Sequence, residues 1–258
     1  MRNVFAIFGK EMRSYFGSPI AYVVGAGFLA LMGYFFQNYV LSFNDYSRAY
    51  SFQHREAGIP VPNVNSWVVT NFFGVQFFIW LIVTPMMTMR LYAEEKKTGT
   101  IELLMTSPIS TWQTLLGKFA ACLTLYMLIE LLVFSLLGFL SFYADVNWGP
   151  VFTASLVVLL MGATFISVGI LASSLTDNQI VAAVISFFML LMLWMIDWSA
   201  RFVTRTFSEI LRYLSIADHM QDMTQGVIDT SDIVFYITAI FFFLFLTYTV
   251  IESRRWRQ

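Results

Sequence analysis

The residues with the means to do chemistry in this chain are few, and most fail the spacing that chemistry requires. Glu130 is the one acid within an apolar run of about Phe119 to Tyr143. An ionisable group at bilayer depth costs about 2.5–3.5 kcal/mol on an insertion scale, so it is expected to face the bundle interior or water. It reads either as a gate or substrate contact, or as a protonated acid hydrogen-bonded to a neighbouring helix. Catalysis would need a second group at the same depth, and neither His-Glu-x-x-His nor Gly-x-Ser-x-Gly occurs. Asn71 and Gln76 are further polar positions in an apolar run and are expected to bond to another helix. Met189, Met192 and Met195 recur every third residue, a stripe that suits copper(I) or plain packing; no metal is expected. Gly9-Lys10 and Gly117-Lys118 both lack the upstream glycine and following hydroxyl of a phosphate-binding loop, so the chain is expected to be no enzyme and to hold no cofactor of its own.

The elements that must position these residues are dictated by composition. Of 258 residues, 58% are hydrophobic and 12% charged, about half the charge of a soluble domain. A net charge of −1 gives no field that would attract nucleic acid. Cys122 is the single cysteine, so no intrachain disulfide forms. Six runs approach the roughly 20 apolar residues that cross a bilayer: about Ile20 to Leu41, Val68 to Met89, Phe119 to Tyr143, Val151 to Leu175, Ile180 to Trp198 and Ile233 to Ile251. The fold class is therefore an all-α polytopic membrane protein, a single transmembrane domain over 1–258. Ten of the fifteen basic residues fall on the side of the termini, which places both termini in the cytoplasm. The first run is too long for a signal-peptide core and no small-residue cleavage site follows it. Ahead of it, residues 1–18 alternate apolar and charged positions and suit a helix lying in the membrane interface, or a plain extension of the first span. Ser42 to Trp67 carries Pro60 and Pro62 and is expected to be an irregular loop. Residues 199–232 form an extracytoplasmic amphipathic segment, a short helix from about Phe202 to Ile216 and then a turn at Gly226. Asp197 between Trp194 and Trp198 reads as an interface anchor. Ala26, Ala30 and Gly33 give the first span a small-residue face suited to a helix contact.

The cytoplasmic loop, residues 90–118, carries most information. Glu94, Glu95, Lys96 and Lys97 suit a solvated helix end, and Gly99 permits a sharp change of direction. Ile101, Leu103 and Leu104 interleave with Glu102, and Ser107-Pro108 suits the N-cap and first position of the next helix. Such an element reads as a docking surface or as an ordinary loop between helices.

The run Glu94-Glu95-Lys96-Lys97-x-Gly99-Thr100-Ile101-Glu102-Leu103-Leu104, with Ser107-Pro108-Ile109 and Leu116-Gly117-Lys118, resembles the signature of type-two ABC transporter permeases. Within that family the chain looks most like the permease subunit of the gliding-motility-associated ABC transporter. Thr84-Pro85, Lys10-Glu11, Ser18-Pro19 and Gly226-Val-Ile-Asp229 agree, so the resemblance covers essentially the whole chain. It implies a coupling element at Glu94, Glu95, Gly99, Thr100, Glu102, Leu103 and Leu104, joined by Lys10 and Glu11, that contacts a separate ABC ATPase subunit. ATP and Mg would sit on that partner. It further implies a second permease copy or homologue (a dimer), contact with membrane lipid, a possible subunit with an extracytoplasmic domain, and residence in a bacterial inner membrane. The function implied is substrate export driven by the partner's ATP hydrolysis; the competing reading is ATP-driven force transmission to a periplasmic partner without transport.

Overall fold

A computed structural model describes residues 2–53, 63–102, 109–200, 215–224, 226–227 and 229–255, with the single positions 204, 209, 211 and 213. Nine α-helices and one π turn are built from these residues, and no strand occurs among them. Helix α1 (Arg2–Gly17) turns Ile7, Glu11 and Tyr15 inward, one residue per turn on one face. It lies against the start of α5 (Thr111–Leu140) because Gly117 has no side chain. A Cβ there would stand 2.9 Å from Ile7 and 3.1 Å from the Val4 carbonyl oxygen. Ser18 then accepts a hydrogen bond from the Ile20 amide (3.3 Å), with Pro19 opening α2 (Pro19–Gln53).

Helix α2 corrects one expectation. The stretch from Ser42 stays helical as far as Gln53, because Ser42–Gln53 contains neither glycine nor proline and Tyr46 stacks on Trp67 at 4.7 Å. Pro60 and Pro62 lie outside the described residues. A π turn (Asn65–Val69) opens α3 (Thr70–Thr88), and α4 (Arg90–Lys97) follows after Met89. Helix α5 starts about eight residues earlier than its apolar run. Its N-cap is Ser110, whose hydroxyl accepts from the Gln113 amide while the Gln113 side chain accepts from Ser110 N. The expected cap, Ser107-Pro108, lies outside the described residues. Asn147 caps α6 (Trp148–Leu175), α7 is Gln179–Ala200, α8 is Ile216–Thr224, and Asp229 caps α9 (Thr230–Arg255) through the Ser231 amide (2.9 Å). That hydrogen bond holds the exposed Asp229 carboxyl below its ordinary range. Gly226 makes the expected turn, with φ +94°. Most of the amphipathic stretch Phe202 to Leu214 lies outside the described residues, as do the side chains of Asp197 and Trp198; the helix seen begins at Ile216.

Among the described residues six helical segments are long and apolar enough to cross a membrane: α2, α3 with α4, α5, α6, α7 and α9. Helix α6 is the hub, with 78% of its apolar stretch buried against 11% for α2 and 17% for α7 and α9. It packs against α3, α4, α5, α7, α8 and α9. Its run Gly162-Ala-Thr-Phe-Ile-Ser-Val-Gly-Ile-Leu-Ala-Ser-Ser174 supplies the small residues that let helices approach in lipid. The small face of α2, by contrast, is not covered by the described residues: Ala26 and Ala30 are exposed and no described atom lies within 4 Å of a Cβ built on Gly33. At one end of the bundle the start of α5 meets α1 and the end of α9, where Thr111 donates to Glu252 (2.7 Å) and Trp112 stacks on Tyr248 (4.8 Å). Both termini belong to that end.

Candidate functional site

Four charged side chains converge at this end. Lys118 of α5, 1% exposed, places its ammonium 2.8 Å from Glu11 Oε1 of α1, 2.9 Å from Glu95 Oε1 of α4 and 2.7 Å from the Leu91 carbonyl oxygen. Its three donors therefore meet three oxygens. Lys10 closes the group from the solvent side, 2.8 Å from Glu95 Oε1 and 3.9 Å from Glu11 Oε1. Partial burial pulls the Lys10 ammonium down, but the hydrogen bond and charge of Glu95, with Glu11 and Glu94, hold it above its ordinary value. A raised lysine stabilises the fold at all pH below its unfolded value and loses that contribution only as pH climbs through the folded one, so the Lys10 contribution is fully present at neutral pH. Two cations and two anions balance, which makes so complete a burial tolerable. Nearby, Tyr15 donates to the Met87 carbonyl oxygen (3.1 Å) and lies under the Arg90 guanidinium at 4.6 Å; burial drives its phenol far above its ordinary range, so it serves as a donor.

The junction between α3 and α4 is broken in a specific way. Ser173 of α6 donates to the Met89 carbonyl oxygen (2.8 Å) and accepts from the amides of Tyr92 (3.0 Å) and Ala93 (3.1 Å). A side chain inserted into the helical ladder is a recognised cause of a kink. Pro85, one turn earlier and buried inside α3, removes a further donor. The result is a short helix jointed to its span, pinned by α6 and clamped by the charge group.

Beyond α4 the chain turns at Thr98 and Gly99, where φ is +72°, and re-enters a helical turn at Thr100–Glu102. Here the site residues divide. Glu94, Lys97, Gly99, Thr100 and Glu102 are exposed, whereas Glu95 and Glu11 are each 8% exposed. Glu95 thus departs from the solvated helix end expected of it: it is spaced one turn from Leu91 on the face turned to α5, where Lys118 waits. Leu103 and Leu104 lie outside the described residues. Lys118 was visible in the sequence only as part of Leu116-Gly117-Lys118, and its partners stand 107 and 23 positions away.

Within the bundle, Glu130 accepts from Gln76 Nε2 at 2.6 Å and from Trp80 Nε1, both on α3. Gln76 therefore bonds across helices as expected. Asn71 does not: its amide donates to the Trp67 carbonyl oxygen (2.6 Å) of its own helix and the residue is exposed, since a position five residues earlier falls on a different face. Met192 and Met195 face outward, and no cluster of three or more histidine, cysteine, aspartate or glutamate side chains occurs among the described residues.

The far end holds a pair that hydropathy and charge did not single out. His219 Nδ1 lies 2.6 Å from Asp232 Oδ1 and Nε2 lies 3.0 Å from the Tyr213 carbonyl oxygen, with the ring stacked on Phe235. With Thr153 Oγ1 donating to the Met223 carbonyl oxygen (2.7 Å) and Tyr236 to that of Ile216 (3.0 Å), α8 is fastened to both α6 and α9. The signal was faint: a histidine in a polar stretch and an aspartate in the first turn of an apolar helix.

Six apolar spans, the second ending in a short charged helix, define a polytopic membrane protein. The sequence profile described as ABC-2 family transporter protein matches residues 37–247. The chain belongs to that family and is a permease component of an ABC transporter. Membership implies an ABC ATPase partner. No curated protein matches the chain significantly.

Proposed function

We propose that the chain couples ATP hydrolysis on a separate ATPase subunit to substrate export, with both termini in the cytoplasm of a bacterium and the spans in its inner membrane. The observation that carries this reading is the buried triad Glu11–Lys118–Glu95, closed on its solvent side by Lys10, which joins α1, α4 and α5 directly behind the exposed turn Glu94 to Glu102. The ATPase docks on Glu94, Gly99, Thr100 and Glu102 and, outside the described residues, on Leu103 and Leu104. Glu11 and Glu95 transmit the push rather than meet the partner. ATPase closure displaces α4 about the Met89 joint, and α1, lying in the membrane interface, moves with it. A second permease copy covers the exposed small face of α2. The gliding-motility-like subtype is proposed on the sequence resemblance alone.

A second reading keeps the ATPase and replaces transport by force transmission to a subunit with an extracytoplasmic domain. It is favoured by the fastening of α8 to α6 and α9, which would carry movement of the hub to the far surface. Purification of the tagged chain in gentle detergent tests the common core: a P-loop ATPase that hydrolyses ATP is expected to co-purify. A chain that purifies alone, without ATPase activity, contradicts both readings. Solute movement in proteoliposomes of the complex separates them.

A further inference from the structure

A crevice beside Arg90 holds a cation that the coupling apparatus does not use. It lies between the start of α2 (Ile20, Ala21, Val24), the end of α3 (Met86, Met87) and α5 (Leu125, Ile129), with Tyr15 and Arg90 on the same wall. The Arg90 guanidinium stands 4.6 Å from the centre of the Tyr15 ring, and that ring is held by its hydroxyl on the Met87 carbonyl oxygen. A ring face attracts a guanidinium but offers no lone pair to its N–H donors. None of those donors meets an acceptor among the described residues, and Glu94, one turn on, forms no ion pair with Arg90. Arg90 is only partly buried, and none of its nitrogens is closed off from outside. The wall carries no carboxylate, and the amide end of the 35-residue helix α2 adds a positive partial charge to it.

Depth decides what meets those donors. Phe78 lies at the middle of the apolar run Val68 to Met89, and Arg90 stands about 18 Å further along at 1.5 Å per residue. The hydrocarbon of one leaflet is half of roughly 30 Å, so the guanidinium sits at headgroup level. Phe78, Ile82 and Met86 are exposed at four-residue spacing, which sets them on one face of α3 leading to Arg90. Ile20 and Val23 of α2, also exposed, continue this apolar surface on the neighbouring helix. The enclosed part of the crevice is only about 10 Å³, so an occupant lies across its mouth and along the stripe. A soluble anion would answer Arg90 and leave the stripe bare. A zwitterionic headgroup would bring a second cation to a wall that has no carboxylate for it.

We propose that Arg90 binds the phosphate of an anionic phospholipid, one lipid per chain, with an acyl chain along Phe78, Ile82 and Met86 and the phosphate between the guanidinium and the opening turn of α2. Guanidinium–phosphate pairs are charge-assisted and often bidentate, and basic pockets between spans at a cytoplasmic end take such headgroups. The lipid would sit at the joint between α3 and α4, the part that the coupling reading sets in motion. Binding itself does not depend on that reading and is measured on the permease without its ATPase, so failure of one leaves the other standing.

The test is native mass spectrometry of the tagged full chain, released from maltoside detergent after incubation with an equimolar mixture of dioleoyl phosphatidylglycerol and dioleoyl phosphatidylcholine. One phosphatidylglycerol per chain is expected to be retained, at least tenfold in preference to phosphatidylcholine. Arg90→Ala should abolish the preference. Arg13→Ala should keep it, because Arg13 is exposed on the opposite side of α1 from Tyr15 and reports only on general surface charge. Inorganic phosphate in hundredfold excess should leave the lipid in place; displacement by it would mark a site for soluble anions and overturn the proposal. Equal retention of the two lipids, or an unchanged preference in Arg90→Ala, overturns it as well. The two-lipid comparison uses unaltered protein, so it decides the matter even where Arg90→Ala fails to fold.

Discussion

Replacing Lys118 with methionine is expected to destabilise the folded chain by about 3–5 kcal/mol, the usual cost of breaking a buried ion pair by removing one partner. Lys118 is the only one of the four charged residues that touches Glu11, Glu95 and the α4 backbone at once. Without it two carboxylates face each other in a dry pocket, and Lys10, whose side chain is 61% exposed, restores only part of the field at Glu95. The loss is largely the penalty of leaving anions unpaired, which gives a sharper expectation. Adding Glu11→Gln and Glu95→Gln to Lys118→Met should recover most of the stability, because a neutral pocket has no charge to compensate. Unfolding midpoints of the four combinations, read in one detergent, measure this coupling. Additive losses, with no recovery in the triple variant, would show that the group does not act as a unit.

The second large effect concerns activity rather than stability. Gly99→Val should leave the chain folded and bound to its ATPase while lowering the ATPase activity of the complex tenfold or more. Valine at φ +72° costs about 1–2 kcal/mol of backbone strain, and the turn escapes it by reshaping. A Cβ at this position meets no described atom within 4 Å, so the substitution starts in open space. What changes is the register of Thr98, Thr100 and Glu102. It is held by Thr98 N on the Glu94 carbonyl oxygen, Gly99 N on that of Lys96 and Glu102 N on that of Gly99. A wild-type rate in the complex containing Gly99→Val would remove this turn from the coupling path.

The six spans were legible because bilayer length and hydropathy leave little choice, and the loop was legible because Gly99 and the charges around it are local features. Other parts are set by partners far away in the sequence. Ser42–Gln53 is polar enough to read as a loop, yet lacks a helix breaker and continues because Tyr46 finds Trp67. Glu95 and Glu94 are adjacent and alike, and only helical phase against α5 decides that one is buried and the other exposed. The Met89 joint depends on a hydroxyl from Ser173, which no local pattern around Pro85 announces. Glu130 was conspicuous in its apolar run, but that Gln76 rather than Asn71 would meet it required knowing which face of α3 looks at α5.

The most direct test that this chain is the driven half of an ATP-powered machine is a cross-link at the turn itself. With Cys122 replaced by alanine and Thr98 by cysteine, the purified complex is treated with a short thiol-to-amine reagent, with and without ATP. The coupling account predicts a cross-link to the ATPase subunit whose yield changes with nucleotide, and none from a cysteine placed at the far end at Val227. An intact complex that gives no cross-link from Thr98→Cys, or gives one at equal yield with and without nucleotide, would contradict it.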